Sequence, residues 1–334
     1  MNCIELVIKL GDGETCIYKK GGGLVLKEAS MIAFSKQGNK ISTIEVGNSA
    51  KDLIGKTDGS IWVESPFKNG VIDNLELASL LLKKFLNVAF KYERHKIKAI
   101  FLVNCSLTAD EKRDFEMLAM NVDIFDYKFV PCVVSSLIGA SKNINEVSGK
   151  MIVDLGADCT EIAVVSNCSI IKGYSIALGG SVIDSAIVSS IFDDYGVVIS
   201  EVTAEKIKKQ IGSLHRKDVA NITFTGYDAL TREVKENTVF ARDLYQIFDV
   251  FYNKVIDGII IVLNQLSADL LNEVVQNGIV LCGGNSLVTG IETYFKKKLQ
   301  IPISTFEQPE LLCMQGASTL LNDSESLKKI VTNN

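Results

Sequence analysis

The sequence predicts an α/β protein built from two related lobes, and three observations carry that prediction. Ile8-Lys9-Leu10-Gly11-Asp12-Gly13-Glu14-Thr15-Cys16-Ile17-Tyr18 is echoed by Val153-Asp154-Leu155-Gly156-Ala157-Asp158-Cys159-Thr160-Glu161-Ile162-Ala163. Each copy is an apolar strand, a short turn of small or acidic residues, a threonine and a second apolar strand, which is the pattern of a β-hairpin. A shared L-G-x-x-x-T alone means little, but here the flanking strands and the position at the head of each half repeat as well. Strand-like and helix-like segments alternate along both halves, as in layered α/β folds. The length of 334 residues is about twice that of a typical domain.

In chain order, Ser30 to Val46 reads as alternating strands, followed by a turn-rich stretch through Asp58-Gly59 and Lys68-Asn69-Gly70. Leu75 to Lys91 carries Leu75, Leu77, Leu80, Leu81, Phe85 and Val88 at helical spacing. Ala99 to Val103 is a buried-strand run, and Thr108 with Glu111 forms a capping box for the next helix. In the second half, Ser181 to Tyr195, Thr203 to Leu214 and Thr238 to Leu263 are predicted helices, and Ile222 to Thr225 a strand. Ile279 to Cys282 is a strand that runs into Gly283-Gly284-Asn285-Ser286 and then a helix. Strand ends and helix N-termini of this kind present backbone N–H groups to ligands, although a lone Gly-Gly is as often a tight connection.

Composition narrows the function. Lys+Arg 35 against Asp+Glu 40 gives a net charge of -5, which offers no electrostatic reason to bind nucleic acid. Hydrophobic residues make up 47%, charged residues 22% and Pro only 4, so a core is available and disorder is not indicated. Eight scattered cysteines without a C-x-x-C pair read as reduced thiols of a cytoplasmic protein. His95 and His215 lie outside metal-ligand spacing of any cysteine, which argues against zinc. The N-terminus lacks a basic n-region and no apolar run reaches about 18 residues, so neither export nor a membrane span is expected.

These motifs resemble the actin, Hsp70 and sugar-kinase superfamily, and within it most closely the MreB family of bacterial actin homologues, the rod-shape-determining proteins. The likeness covers nearly the whole chain. It is strongest from Met151 to Gly212, with Gly179-Gly180, Asp184, Thr203-Ala204-Glu205 and Ile211-Gly212, and continues through Cys282 to Leu287, Gly290, Gln308-Pro309-Glu310 and Asp73.

The resemblance implies an actin-like, ribonuclease H-like duplicated fold with a nucleotide cleft and four subdomains. These are IA (residues 1–30, 75–140 and 319–334), IB (31–74), IIA (141–176 and 247–318) and IIB (177–246). It implies ATP or ADP with Mg²⁺ in the cleft. The first phosphate loop then falls on Asp12, Gly13, Glu14 and Thr15. The second falls on Gly156, Ala157 and Asp158, with Thr160 behind it and Asp154 as the metal-side carboxylate. Glu205, Lys206, Ile207 and Lys208 occupy the adenosine-contacting helix, and Gly283, Gly284, Asn285 and Ser286 the nucleoside-side turn. Without the family pattern, the second loop is a plain β-turn with a surface Asp, and Glu205 with Lys208 an i,i+3 ion pair on a solvated helix.

Two departures bear on chemistry. The family begins its first loop with an aspartate, and this sequence has Lys9 there, followed by the carboxylates of Asp12 and Glu14. Lys9 either meets a phosphate as a point charge or is neutralised by Asp12. The family also places a water-positioning glutamate before a proline, where Phe129-Val130-Pro131 puts valine, and valine cannot orient water by hydrogen bonding. Asp158 is a candidate substitute. No catalytic residue is therefore assigned, and ATP hydrolysis, if any, is expected to be weak.

The expected function is a cytoskeletal, filament-forming protein of cell shape. Its expected partners are further copies of itself, MreB paralogues and the inner face of an anionic membrane. The membrane contact falls on the basic stretch Asn87 to Lys98, whose alternative reading is a helix end with Phe90 in the core. The rival functions are an active actin-like ATPase of plasmid segregation or chaperone type, and a nucleotide-insensitive scaffold that co-assembles with a paralogue.

Overall fold

A computed structural model describes residues 3–38, 40–56, 59–91 and 96–333. The first half runs β1 (Cys3–Leu10), β2 (Glu14–Lys19), β3 (Gly23–Ala29), β4 (Ile32–Gln37), β5 (Lys40–Val46), α1 (Asn48–Lys51), β6 (Ile61–Glu64), β7 (Phe67–Lys68) and β8 (Val71–Ile72). It continues with α2 (Leu75–Ala89), β9 (Lys96–Val103), α3 (Ala109–Asn121), β10 (Ile124–Pro131) and α4 (Cys132–Gly139). The second half begins β11 (Lys150–Leu155), β12 (Thr160–Ser166), β13 (Ser169–Ile176), α5 (Gly180–Tyr195), β14 (Val197–Val198), α6 (Glu201–Ile211), β15 (Asn221–Asp228) and β16 (Val234–Phe240). It ends α7 (Ala241–Leu263), α8 (Ala268–Asn277), β17 (Ile279–Cys282), α9 (Ile291–Leu299), β18 (Ile303–Ser304), α10 (Leu312–Leu320) and α11 (Ser324–Asn333).

The sequence echo reappears as topology. One five-stranded sheet has the order β3-β2-β1-β9-β10 and the other β13-β12-β11-β17-β18. In each, the opening strand pairs antiparallel with its hairpin partner and parallel with the strand on its other side. Period-two alternation then sorts side chains between cores. Leu6 and Ile8 face the first-lobe core while Val7 joins a central cluster; Met151, Val153 and Leu155 face the second-lobe core while Ile152 joins the same central cluster.

That central cluster also takes in α4, α10 and α11. Helices α4 and α10 approach so closely that a Cβ on Gly139 would overlap the Leu312 carbonyl, and one on Gly316 the Ser135 carbonyl. The Ser135 hydroxyl donates to Cys313 O at 2.6 Å across this crossing. Both sheets lean on this helix pair, so it fixes where their hairpin tips sit.

Local signals account for most boundaries. Asn74 caps α2 by accepting from Leu77 N at 3.1 Å, and the Thr108–Glu111 capping box starts α3. Two predicted helices need correction. Helix α6 begins at Glu201, not Thr203, because Ser200 accepts from Thr203 N at 3.2 Å, and it ends at Ile211, before Gly212 turns the chain out of helical geometry. Helix α7 begins at Ala241, not Thr238, because Thr238 and Val239 pair with Thr223 and Ile222 in a hairpin. Their β-branched side chains suit either a strand or a short helical run, and the cross-strand partners decide.

Phe90, at the end of α2, is buried in the first-lobe core. Asp58 and, within the basic stretch, Tyr92, Glu93, Arg94 and His95 lie outside the described residues.

Candidate functional site

The two hairpin tips are built alike. In the first, Gly11 N donates to Glu14 O at 3.1 Å; in the second, Gly156 N donates to Cys159 O at 3.0 Å. Behind each tip a threonine is fully buried. Thr15 Oγ1 lies 2.9 Å from Ser30 Oγ, and Thr160 Oγ1 donates to Leu178 O at 2.6 Å. The tips face one another so closely that a Cβ on Gly13 would lie 3.1 Å from Cβ of Ala157. Among the described residues, the backbone N–H groups of Asp12, Gly13, Ala157 and Asp158 have no acceptor within the chain. Four unsatisfied donors at two facing turns form a concave seat for an anion.

The tips floor a cleft of about 470 Å³. One wall is the turn after β17. Gly283 has φ +79°, and a Cβ there would overlap the Asp154 carboxylate and the Leu155 carbonyl, so only glycine fits. Asn285 Nδ2 donates to Gly156 O at 2.7 Å and Tyr252 Oη donates to Asn285 O at 2.6 Å, which locks this turn to the second tip. The other wall is α6, through Glu205, Lys208 and Lys209, with Lys51 of α1 reaching across the mouth.

A sequence model described as MreB/Mbl protein matches residues 3–329. The chain belongs to the MreB/Mbl family. Among its relatives, the cell shape-determining protein MreB of Escherichia coli (strain K12) is 28% identical over 322 residues, covering 95% of this chain and 93% of that one. MreB5 of Spiroplasma citri bound to ADP superposes with a TM-score of 0.90 at 26% identity, covering 99% of each chain. The same protein bound to AMPPNP gives 0.90 at 26%, covering 100% of this chain and 99% of that one. A MamK double helical filament superposes at 0.81 with 20% identity over 96% of this chain and 99% of that one. The fold is actin-like.

In this MreB/Mbl chain the cleft is lined by Asp12, Gly13, Glu14, Asp154, Gly156, Ala157, Glu205, Lys208, Gly283, Gly284 and Asn285. The other expected residues stand elsewhere. Thr15, Thr160 and Ser286 are buried behind the lining, where the Ser286 hydroxyl donates to Gly283 O at 2.7 Å and shapes the turn. Asp158 is not among the residues that line the cleft, although its carboxylate is close enough to Asp12 to raise that carboxyl. Lys206 and Ile207 are outside the lining: Ile207 is fully buried in the second-lobe core and Lys206 lies on the side of α6 toward Phe224. Successive helical residues point about 100° apart, so four in a row cannot share one face.

The charges differ from expectation too. Glu205 and Lys208 do not pair with each other. Glu205 binds Lys51 at 2.5 Å and Lys209 at 2.7 Å, while Lys208 binds Asp184 at 2.8 Å and Gly180 O at 3.0 Å. Burial pulls the Glu205 carboxyl upward, but the hydrogen bonds from Lys209 and Lys51 win and bring it down to about 2. Burial wins at Asp184, which rises to about 6 despite Lys208. Lys51, Lys209, Gln210, Val288 and Thr289 were missed as lining residues. Lys51 comes from the other lobe, and no local pattern marks it; Val288 and Thr289 sit between two recognised glycine positions, Gly284 and Gly290, which was a usable signal.

At the floor, both carboxylate oxygens of Asp12 accept from Gly70 N at 2.9 Å. Burial raises this carboxyl to about 6, with Asp158 adding to the rise. Glu161, whose Oε1 accepts from Cys105 N at 2.5 Å, is raised to about 7, by burial first and then by Asp154. Lys9 stands where the family's first aspartate is expected. Among the described residues no group of three or more His, Cys, Asp or Glu side chains is placed to hold a metal ion. Asp154, the expected metal-side carboxylate, does line the cleft, but Lys9 stands at the matching end of the first strand and Asp12 is turned to Gly70, so the opposite charges at the two strand ends do not make a Mg²⁺ seat.

Val130 is fully buried at the end of β10, in the central cluster beside Leu102 and Cys132. Among the described residues no helix is long and apolar enough to cross a membrane.

Proposed function

We propose that this chain binds ADP or ATP in the cleft, assembles with copies of itself into filaments that take part in cell shape, and hydrolyses ATP slowly. The observation that carries the nucleotide reading is the set of four acceptor-free N–H groups on two facing glycine-bearing turns. Such donors meet phosphate oxygens, and the Spiroplasma citri relative is a nucleotide complex. Gly284 puts no side chain into the cleft, and the space a Cβ would take there is open, so a nucleoside can lie against backbone at that point. Slow hydrolysis rests on the family resemblance, which puts a water-positioning glutamate where this chain has the buried Val130, a side chain that offers water no hydrogen bond.

Self-assembly, cytoplasmic location and the four-subdomain division given above rest on family membership. Co-assembly with paralogues has the same support. A membrane contact through the basic stretch would have to do without Phe90, which is committed to the core, and without Lys98, which is paired with Asp126 at 3.2 Å.

A Cβ on Gly284 meets nothing within 4 Å, so Gly284→Trp should fold and fill the cleft. The expected result is wild-type melting behaviour with ADP binding lost by calorimetry. Unchanged ADP affinity in that variant would remove the nucleotide from this place. Negative-stain imaging with and without ATP tests assembly, and absence of polymers in both contradicts it.

A further inference from the structure

Lys9 is the cleft residue whose charge opposes that of its counterpart. It precedes the first tip as Asp154 precedes the second, each followed by Leu-Gly. Five lysines line the cleft, and four are held by carboxylates. Lys27 lies 3.6 Å from Glu14 and 3.5 Å from Glu310, while Lys51, Lys208 and Lys209 are bound to Glu205, Asp184 and Glu205 at 2.5, 2.8 and 2.7 Å. Among the described residues Lys9 alone of the five makes no salt bridge. Its strand neighbours are Cys16 and Leu102, and its Cε lies 3.9 Å from where a Cβ on Gly11 would be. The side chain therefore runs beside the backbone of the first tip.

The charge is secure. Cys313 holds the ammonium well above its ordinary range, with burial opposing and Asp154, Cys132 and Cys16 adding to the rise. Cys313 itself is drawn down to about 7, first by a hydrogen bond from Cys132 and, against burial, by Lys9. A cation kept charged, hydrogen-bonded to the Cys313 thiol but without a salt-bridged carboxylate among the described residues, at the floor of a cleft that also carries Asp12, Glu14, Asp154 and Glu161, can meet an incoming phosphate.

We propose that Lys9 is a phosphate-binding residue that supplies, from within the chain, the positive charge a divalent cation would otherwise bring, so that nucleoside di- and triphosphates bind without Mg²⁺. The N–H groups of the two tips orient the phosphates and Lys9 acts as a point charge among them, a role that an ammonium fills without fixed geometry. This rests on the nucleotide reading above and adds the source of the counter-charge.

The test is ADP titration by calorimetry in Mg²⁺ and in excess EDTA, for wild type, Lys9→Asp and Lys9→Met. Wild-type affinity is expected to agree between the two buffers within about threefold. Lys9→Asp should bind at least about 30-fold more tightly in Mg²⁺ than in EDTA, because a carboxylate at that place needs a cation between it and the phosphate. Lys9→Met keeps the length of the side chain without the charge, and serves if Lys9→Asp does not fold. It should lose about tenfold or more in both buffers. Wild-type binding that collapses in EDTA overturns the proposal while leaving the nucleotide reading intact, and so does a Lys9→Met variant that binds as wild type does. Failure of wild type to bind ADP in either buffer overturns the nucleotide reading itself, and the role of Lys9 with it.

Discussion

The first and second hairpins share a tip hydrogen bond, Gly11 N to Glu14 O and Gly156 N to Cys159 O, and a buried threonine behind it, yet the strand entering one ends in Lys9 and the strand entering the other in Asp154. Backbone geometry at each tip is set by apolar alternation on both sides and by a glycine with a carbonyl close against it, since a Cβ on Gly11 would lie 3.0 Å from Glu14 O and one on Gly156 2.8 Å from Cys159 O. None of that constrains the charge at the strand end. The lesson is that a duplicated scaffold preserves where a ligand can sit more firmly than it preserves what neutralises that ligand.

The comparison breaks most severely at the turn that buttresses only the second tip. Gly283→Val combines a strained positive φ with overlap onto Asp154 and Leu155, and should cost more than about 4 kcal/mol. Thermal unfolding should show a melting temperature lower by roughly 10 °C or more; a wild-type melt would mean that the turn does not support the second tip.

Hydrolysis comes next. Val130→Glu places a carboxylate at the buried end of β10, and should raise phosphate release by about 10²-fold or more, further when Lys9→Asp is added. A rate unchanged in both variants would show that Val130 is not what limits turnover.

The first tip also carries a pH dependence. Asp12 has a folded-state pKa of about 6 against an ordinary 3.8, so the folded chain binds that proton more tightly than the unfolded chain. Its contribution to stability is fully present below 3.8 and is lost as the pH rises to about 6. Asp12→Asn should therefore be close to neutral at pH 4 and stabilising by up to about 3 kcal/mol well above pH 6, read from denaturant melts at several pH values. A gain of equal size at both ends of the range would assign the effect to something other than this carboxyl.

The smallest effect is at the cleft mouth. Lys51 and Glu205 are both partly exposed, at 26% and 23%, so Lys51→Ala should cost under about 1 kcal/mol. It should also shorten the residence time of bound ADP in stopped-flow displacement, since the bridge spans the opening; an unchanged off-rate would make the bridge a surface feature only.

Much of this was legible in the sequence where local physics decides. The two hairpins, the Thr108–Glu111 cap and the Gly283 turn were all readable, because strand alternation, capping residues and a glycine before a helix leave short-range marks. What stayed hidden depends on distant partners. Thr238 and Val239 look helical until Thr223 and Ile222 pair with them. In sequence the run Glu205 to Lys208 reads as one contact surface, whereas the helix sends Ile207 into the core and Lys208 onto Asp184. Lys9 is visible as an anomaly, but only the salt bridges of the other four cleft lysines reveal that it is the one without a carboxylate.

The central claim is that two facing tips hold a nucleotide that the chain hardly hydrolyses. The most direct measurement is to incubate the purified chain with labelled ATP, strip unbound nucleotide on a desalting column and identify what remains bound over an hour. The account predicts stoichiometric nucleotide recovered mostly as ATP. Recovery of ADP within minutes, or of no nucleotide at all, would contradict it.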